Sequence, residues 1–500
     1  MFALHPSWTH LLTPEIGLLS FSLIFLIVAA IKGDNKLRKG GLYLGILSLI
    51  FTLFFVFQLF FSIPDNEHIT VIATTMGNLS LVMDKFSLLF KMLFIVGGIF
   101  VFLISVKELD EEDAWSGEYV ALILFSILGM MVMSSGADLL TLWVGLETMA
   151  LSIYVLAAYL RRKESSVEGA LKYFVLGALS SGMYIYGVSF IYGSTSTIHL
   201  DAIKAQLGMI IMRGGIDSIP FSRAFGLILL IVSLLFKIAI VPFHFWTPDA
   251  YEGATTPITA FMSVAPKAAG FAMLTRILIS GVIPLHEILI PLLSLTALLT
   301  MVWGNIAAML QSNAKRMLAY SSIAHAGYIL AGLIAALKSK TNEGVTAVIF
   351  YLFVYIFMNV GAFAVIIALK GNGEEGDKMD DFNGLFKRSP YLALFMTFFL
   401  LSLGGIPPFA GFLGKFFIFM ALVHSKLYLL AAVLAITSVI SIYYYYRIVC
   451  NMFLKEGGEK PALSEGLPLK IGLFLMSFVN LFLILFVNKI FSIFEKGNIF

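Results

Sequence analysis

Apolar runs of about twenty residues follow one another along most of this sequence, and they restrict the possible folds more than any other feature. A helix needs about 20 apolar residues to cross the hydrocarbon core of a bilayer. Hydrophobic residues make up 59% of the 500 positions and charged residues only 13%, whereas soluble domains carry about 25% charged residues. Because each run must satisfy its own backbone hydrogen bonds in lipid, it predicts a helix. The sequence therefore predicts an all-α polytopic membrane protein.

The pattern predicts about 14 transmembrane helices. They cover roughly 14–31, 41–63, 86–106, 119–136, 139–160, 169–193, 225–247, 257–280, 288–310, 317–337, 345–369, 390–420, 427–450 and 469–494. Basic residues test this count, because Lys and Arg concentrate in cytoplasmic loops. The basic clusters all end or follow odd-numbered spans: Lys32, Lys36, Arg38, Lys39, Arg161, Arg162, Lys163, Lys315, Arg316, Lys387, Arg388, Arg447, Lys455 and Lys460. We therefore predict that this side is cytoplasmic and that both termini face outward.

The outward loop after span six contains an apolar pattern of its own. Leu200, Ile203, Leu207 and Ile210 recur at the spacing of one helix face. This pattern predicts an amphipathic helix that lies at the membrane interface.

Composition also excludes several classes of function. The net charge is only +3, and no basic cluster interleaves with aromatic residues, so nothing indicates a nucleic-acid partner. The single cysteine, Cys450, excludes an internal disulfide and any intrachain cysteine-ligated cluster. The chain contains no phosphate-binding glycine loop, dinucleotide-binding turn or metal-ligand cluster. We therefore expect no cofactor or metal bound by this chain.

Several ionisable residues lie inside the predicted spans. The strongest candidates are Glu147, Lys237, Lys267 and Lys415, with Lys172 and His325 as weaker members. A charge at the bilayer centre costs roughly 2.5–3.5 kcal/mol on insertion scales, and such residues usually mark ion pathways or proton relays. The structural alternative is a static buried ion pair, which often contributes little stability.

Spans seven and twelve combine a lysine with helix-breaking residues. Pro242 follows Lys237, and the run 404–414, which includes Pro407 and Pro408, precedes Lys415. Interrupted apolar segments at corresponding places of two halves are typical of inverted-repeat transporters. We predict two inverted five-helix repeats, each with a broken helix, within the divisions 1–115, 116–281 (spans four to eight), 282–455 (spans nine to thirteen) and 456–500. The alternative is a pair of ordinary kinked helices, and the lysine precedes its proline in one span but follows it in the other.

The remaining charged candidates differ in how strongly they indicate function. Glu147 has no countercharge in its own span, so we expect its partner, a lysine, on another helix. Lys267 lies too deep in span eight to reach the membrane surface. Lys172 lies near a helix end, four residues after Glu168, and a lysine that extends to the membrane surface explains it almost as well. Lys91 is expected to reach the surface in that way.

His325 has polar neighbours on its own helix face, at the positions Ser321, Ser322 and Tyr328. Its pKa range in water suits a proton shuttle near neutral pH. A hydrogen-bonded structural histidine explains the residue equally well.

Four runs in the sequence together resemble the antiporter-like subunits of respiratory complex I, the proton-pumping NADH–quinone oxidoreductase. They lie at 143–147 (WVGLE), 236–254, 319–328 (AYSSIAHAGY) and 405–416 (GIPPFAGFLGKF). The resemblance covers spans four to thirteen, and the last run, with Lys415, is similar to the subunit N branch. Thr255 departs from the family, which often has proline there.

The resemblance implies a role for each candidate. Glu147 and Lys237 would form the coupling pair, Lys267 the central lysine, His325 a link onward and Lys415 the terminal lysine, with Lys172 near the uptake side. It also implies a bacterial inner-membrane location and partner subunits that hold FMN, iron–sulfur clusters, NADH and quinone. Two alternatives stay open: a subunit of a multi-subunit cation/proton antiporter, and a scaffold whose polar residues only hold helices together.

Overall fold

The computed structural model describes residues 10–32, 38–64, 69–73, 79–112, 117–371, 376–456 and 466–499. Lys36 and Lys460, two of the basic residues used to assign orientation, lie outside these ranges. Within them the chain is almost entirely helical, so the predicted all-α polytopic class is confirmed. Twelve of its helices are long and apolar enough to cross a membrane.

The helices are numbered here in chain order. They are α1 Thr13–Lys32, α2 Arg38–Ser62, α3 Lys85–Glu111, α4 Gly117–Ser135, α5 Leu139–Ala157, α6 Glu164–Thr195, α7 Leu200–Gly214, α8 Phe221–Lys237, α9 Trp246–Gly253, α10 Thr256–Arg276, α11 His286–Met309, α12 Ala314–Ser339, α13 Glu343–Leu369, α14 Leu385–Arg388, α15 Pro390–Gly404, α16 Ala410–His424, α17 Tyr428–Leu454, α18 Leu467–Phe482 and α19 Val487–Glu495. A short antiparallel ribbon, β1 Ile69–Ala73 and β2 Leu79–Met83, precedes α3.

Three helices form the centre of the bundle. Every residue of α10 is buried, as are nearly all residues of α12 and α13. By contrast, α1 and α2 expose large apolar side chains such as Ile24, Ile27 and Phe54, as lipid-facing or subunit-facing helices do. The polar residues of the three central helices are therefore shielded from lipid by protein on all sides.

Spans seven and twelve are each divided into two helices. The first contains α8 and α9, separated by residues 238–245, and the second contains α15 and α16, separated by residues 405–409. The equivalence of the two five-helix halves, and the divisions drawn from it, stay predictions.

The segment 200–214 forms helix α7, as its apolar spacing predicts. Its apolar face packs on protein rather than lying free at the interface, because Leu200, Ile203 and Leu207 are buried against the turns that follow α10.

Two buried cations on the N-terminal side of the bundle have carboxylate partners. Lys91 lies in α3 with no exposed side-chain surface, and its Nζ is 2.7 Å from Glu15 of α1. Arg276 makes a two-pronged ion pair with Asp84, at 2.8 and 3.0 Å. The expectation that Lys91 reaches the membrane surface was wrong, because Glu15 on a neighbouring helix supplies the countercharge inside the bundle.

Candidate functional site

Three of the predicted residues, Lys237, Lys267 and Lys415, are buried lysines without a carboxylate partner. Their exposed fractions are 6%, 2% and 4%, and among the described residues no acidic side chain lies within 4.0 Å of their ammonium groups. Neutral hydroxyl and carbonyl groups hold them instead. Buried charges in proteins are normally paired, as Lys91 and Arg276 are here. These three lysines therefore differ physically from the structural cations of the same bundle.

Lys237 and Glu147 are held by separate hydroxyl groups. Lys237 Nζ donates to the Tyr154 hydroxyl at 2.9 Å, and Glu147 accepts a short hydrogen bond from Ser181 of α6. The partner of Glu147 lies on another helix, as expected, but it is a serine. The predicted direct ion pair is not formed, because Lys237 contacts α5 at Tyr154, seven residues and about 10 Å along the helix from Glu147.

The break after Lys237 has partners for its freed backbone groups. The Trp246 indole donates to the Phe236 carbonyl at 3.1 Å, and the Val241 amide donates to the Thr300 hydroxyl of α11 at 3.0 Å. Lys237 is the last residue of α8, where the carbonyl end of the helix dipole favours a cation. The break therefore gives the lysine a favourable electrostatic position without a carboxylate.

Lys267 connects the two central helices α10 and α12. Its Nζ donates to the carbonyl of Ser322 at 2.7 Å and also makes a short contact with the Ser322 hydroxyl. Ser322 belongs to the polar face of α12 that the sequence indicates around His325. The ammonium of Lys267 thus reaches the same face that carries the histidine.

His325 is hydrogen-bonded at both ring nitrogens, to two tyrosines on other helices. Nδ1 is 2.5 Å from the Tyr351 hydroxyl of α13, and Nε2 is 3.2 Å from the Tyr445 hydroxyl of α17. Tyr445 also contacts Ser321. The sequence gives no sign that Tyr351 and Tyr445 contact the histidine, because a tyrosine fits an ordinary buried helix. Only the packing of the helices brings them to His325.

Lys415 contacts the end of the half-helix that precedes it. Its Nζ donates to the carbonyl of Gly404, the last residue of α15, at 3.1 Å, and to Ser438 at 2.8 Å. The Tyr328 ring lies 5.1 Å from the ammonium, within cation–π range. Lys237 and Lys415 lie on opposite sides of their prolines in sequence. Lys237 is nevertheless the last residue of its first half-helix, and the ammonium of Lys415 contacts the last carbonyl of the corresponding half-helix.

Lys172 lies away from this buried set. Its side chain is 46% exposed and pairs with Glu168 at 2.7 Å and with Asp249 of α9 at 2.9 Å. Asp249 also pairs with Arg316 at 3.0 Å. The structure therefore places Lys172 in a surface cluster that anchors α9, the second half of the broken span.

Buried polar atoms near the lysines extend the hydrogen-bonding surface between them. Within the part of the chain that the structure describes, the hydroxyls of Tyr251 and Tyr355 and the amide oxygen of Asn359 have no protein partner. Such atoms are usually satisfied by ordered water. The space between these helices therefore offers polar groups to which ordered water could bind.

Comparison with known proteins identifies the architecture. The family model described as NADH:quinone oxidoreductase/Mrp antiporter, transmembrane, matches residues 136–441, more than half of the chain. The chain belongs to this family. The matched range contains all six candidate residues. It also contains both helix breaks.

Individual members of the NADH:quinone oxidoreductase/Mrp antiporter family align with most of the chain. NADH-quinone oxidoreductase subunit N 1 of Koribacter versatilis is 49% identical over 377 residues, which are 75% of this chain and 73% of that protein. Subunit N 2 of Solibacter usitatus is 44% identical, with 80% of each chain covered. A chain in the structure of respiratory complex I from Thermus thermophilus with bound aureothin superposes with a TM-score of 0.79. It is 29% identical, and the match covers 97% of this chain and 100% of that one.

Proposed function

We propose that this chain is a proton-translocating membrane-arm subunit of an NADH–quinone oxidoreductase, of the subunit N type. Protons would pass along Glu147, Lys237, Lys267, His325 and Lys415. The chain is a multi-pass membrane protein, and a bacterial inner membrane suits its relatives.

One observation carries the assignment of the residues: among the described residues, Lys237, Lys267 and Lys415 have no carboxylate partner although they lie buried inside predicted spans, where Lys91 has one. A fixed ion pair would hold each ammonium in its charged form, because an opposite charge nearby favours ionisation. Hydroxyl and carbonyl partners can accept a hydrogen bond from the ammonium, and a hydroxyl can also donate one to the neutral amine. Each lysine can therefore exist in both protonation states inside the bundle, as a carrier must.

The hydrogen bonds suggest how the groups are connected. Ser322 and His325 lie on one face of α12, so a proton released from Lys267 would reach the imidazole within one helical turn. Tyr445 and Tyr328 continue from the imidazole toward Lys415. Lys172, with its surface position beside Asp249, would serve at the uptake side of the first half rather than within the buried line.

The redox chemistry is assigned to partner subunits. FMN, iron–sulfur clusters, NADH and quinone would be held there, and this chain would bind no cofactor. Quinone reduction would change the interaction between Glu147 and Lys237, which are held apart by Ser181 and Tyr154 in the present conformation. The family implies this coupling.

The test uses the assembled complex in proteoliposomes. We expect Lys237→Ala and Glu147→Ala to reduce NADH-driven proton pumping sharply, while NADH oxidation by an artificial electron acceptor stays normal. Lys204→Ala, an exposed lysine of α7, is the matched control and should pump normally. Unchanged pumping in both site variants would rule out the assigned pair and favour the scaffold alternative.

The second candidate function is a subunit of a multi-subunit cation/proton antiporter, because the family model covers both groups. Purification separates the two. An NADH–quinone oxidoreductase subunit would copurify with flavin and iron–sulfur absorbance, and an antiporter subunit would copurify with neither.

A further inference from the structure

A polar cavity of about 250 Å³ lies where the ends of several helices meet on one face of the bundle. Lys163 and Glu112 form its exposed rim, Lys370 is partly buried, and Glu108 and Lys315 form its buried part. These residues lie at the ends of the odd-numbered spans three, five, nine and eleven. The basic residues predict that this side of the membrane is cytoplasmic. The cavity therefore opens toward the side from which a pump takes up protons.

Glu108 is the buried carboxylate of this cavity. It is 3% exposed, and its Oε1 accepts hydrogen bonds from the Thr256 amide and from Lys370, both at 3.2 Å. Its Oε2 is buried and has no partner among the described residues. Lys370 pairs with Glu112 as well as with Glu108, so the lysine keeps a countercharge when Glu108 takes up a proton. One oxygen of Glu108 is thus fixed by two hydrogen bonds, and the other is left without a protein partner among the described residues.

The carboxylate touches the first turn of α10, the helix that carries Lys267. Thr256, Thr259, Ser263 and Lys267 follow at intervals of three or four residues, so they lie on one helix face. Thr259 and Ser263 are fully buried. Lys267 follows Thr256 by eleven positions, which corresponds to about 16 Å along the helix. Side-chain hydroxyls therefore share the helix face that leads from the carboxylate to the central lysine, and that of Thr259 donates to the Tyr251 carbonyl at 2.7 Å.

A second helix adds polar atoms next to this face of α10. Asn359 of α13 donates to the Ser263 hydroxyl at 2.5 Å, and its buried side-chain oxygen has no partner among the residues that the structure describes. Ser263 itself donates to the Ala260 carbonyl at 2.7 Å. The position halfway between Glu108 and Lys267 is therefore lined by polar groups from two helices, the type of site that ordered water occupies.

We propose that Glu108 is a cytoplasmic proton-loading group that delivers protons to Lys267 along Thr256, Thr259, Ser263 and Asn359 of α10 and α13. The proposal rests on the proposed function and adds to it an uptake site separate from the Glu147–Lys237 pair.

The transfer balances without any further reactant. A hydronium ion in the cavity gives its proton to Oε2 of Glu108 and becomes water. The carboxylic acid then releases that proton to the hydroxyls and waters along α10, each of which accepts one proton and passes on another. The neutral amine of Lys267 receives it and becomes an ammonium, while Glu108 returns to the carboxylate.

The test substitutes Glu108→Gln in the assembled complex. Glutamine keeps the size and accepts the Thr256 hydrogen bond, but it carries no exchangeable acid proton. We expect protons pumped per NADH to fall about tenfold or more through loss of this transfer group. Oxidation of NADH by an artificial acceptor should stay normal.

A charge-balanced variant separates proton loading from a structural ion pair. Glu108→Gln together with Lys370→Gln removes both charges, so a purely structural role predicts that pumping recovers. Proton loading predicts that it does not recover. Recovery in the double variant, or normal pumping in Glu108→Gln alone, would overturn the proposal.

A second pair of variants, both on α10, tests the role of the hydroxyl groups between Glu108 and Lys267. Thr259→Val removes a hydroxyl between Glu108 and Lys267, and Thr275→Val removes one from the opposite end of the helix, where it only caps the Phe271 carbonyl. We expect reduced pumping in the first and normal pumping in the second. This pair also carries the test if Glu108→Gln fails to assemble, and equal pumping in the two would contradict the proposed line.

Lys267→Met distinguishes failure of this proposal from failure of the proposed function. If Lys267→Met abolishes pumping while Glu108→Gln and Thr259→Val do not, only the loading site is wrong. If Lys267→Met pumps normally, the proton-carrying line itself is wrong, and the loading proposal fails with it.

Discussion

Gly411 offers a sharp test of how the second helix break positions Lys415. In Gly411→Ala, the added Cβ would lie 2.0 Å from the Ser402 carbonyl oxygen and 2.8 Å from the Ser402 hydroxyl. Cβ contacts below 3.0 Å are essentially never seen, so α15 and α16 must separate by about 1 Å. The same separation disturbs the bond from the Gly411 amide to the Ser402 hydroxyl, now 2.9 Å.

The size of the effect follows from these distances. Overpacking costs about 1–3 kcal/mol, and loss of the hydrogen bond adds about 1 kcal/mol. Alanine has a better helix propensity than glycine, and this difference offsets up to about 1 kcal/mol of the cost. The net destabilisation is therefore about 1–3 kcal/mol. Separation of the half-helices would also take Lys415 Nζ from 3.1 Å to about 4 Å from the Gly404 carbonyl, beyond hydrogen-bonding distance.

The assay compares Gly411→Ala with Gly193→Ala in proteoliposomes. Gly193 lies in α6 with nothing within 4 Å of an added Cβ, so it controls for the glycine-to-alanine change itself. We expect Gly193→Ala to pump normally and Gly411→Ala to pump about tenfold less or worse, because a 1 Å misplacement can cost about 100-fold. Equal pumping in the two variants would refute the argument that contact with the end of α15 positions Lys415.

Two further predictions concern single charges. Lys415→Glu should retain more pumping than Lys415→Ala in the same assay, because a carboxylate can still carry a proton; equal loss would argue against a titratable relay at this position. Asp84→Asn should destabilise the chain by about 3–5 kcal/mol, because it leaves Arg276 buried without its countercharge. Asp110→Asn, at a half-exposed pair with Lys39, should cost at most about 1 kcal/mol. Thermal denaturation of the solubilised complex measures the stability of Asp84→Asn and Asp110→Asn. Similar midpoints for the two variants would show that the buried Asp84–Arg276 pair does not stabilise the structure.

The sequence predicts those features that depend on a local signal. Hydropathy identifies the spans because each apolar run is long enough by itself, and the helix breaks are visible because Pro242 and Pro407 interrupt such runs. The lysines of the site are visible because charge is rare in these segments. The α12 face around His325 follows from helical spacing alone.

The partners of these residues depend on helix packing, which the sequence does not display. The partner tyrosines are distant in sequence from the residues they contact, as Tyr154, Tyr351 and Tyr445 show. Nothing in the neighbouring sequence distinguishes such a functional tyrosine from an ordinary aromatic residue of an apolar helix. Glu15 was not connected to Lys91 for the same reason. The ribbon at 69–83 was missed because its two strands are short and lie between long hydrophobic spans.

The predicted spans contain two kinds of buried cation, and the difference between them separates scaffold from carrier. Lys91 and Arg276 face carboxylates, so removing a proton from either would leave an unpaired negative charge inside the protein, which is unfavourable. Lys237, Lys267 and Lys415 face dipoles, and removing a proton from any of them leaves a neutral amine among neutral groups. Loss of a proton therefore creates no buried unpaired charge at these three positions. Because both broken helices offer a carbonyl end to a lysine, the breaks supply a cation site that stabilises the charged form without fixing it.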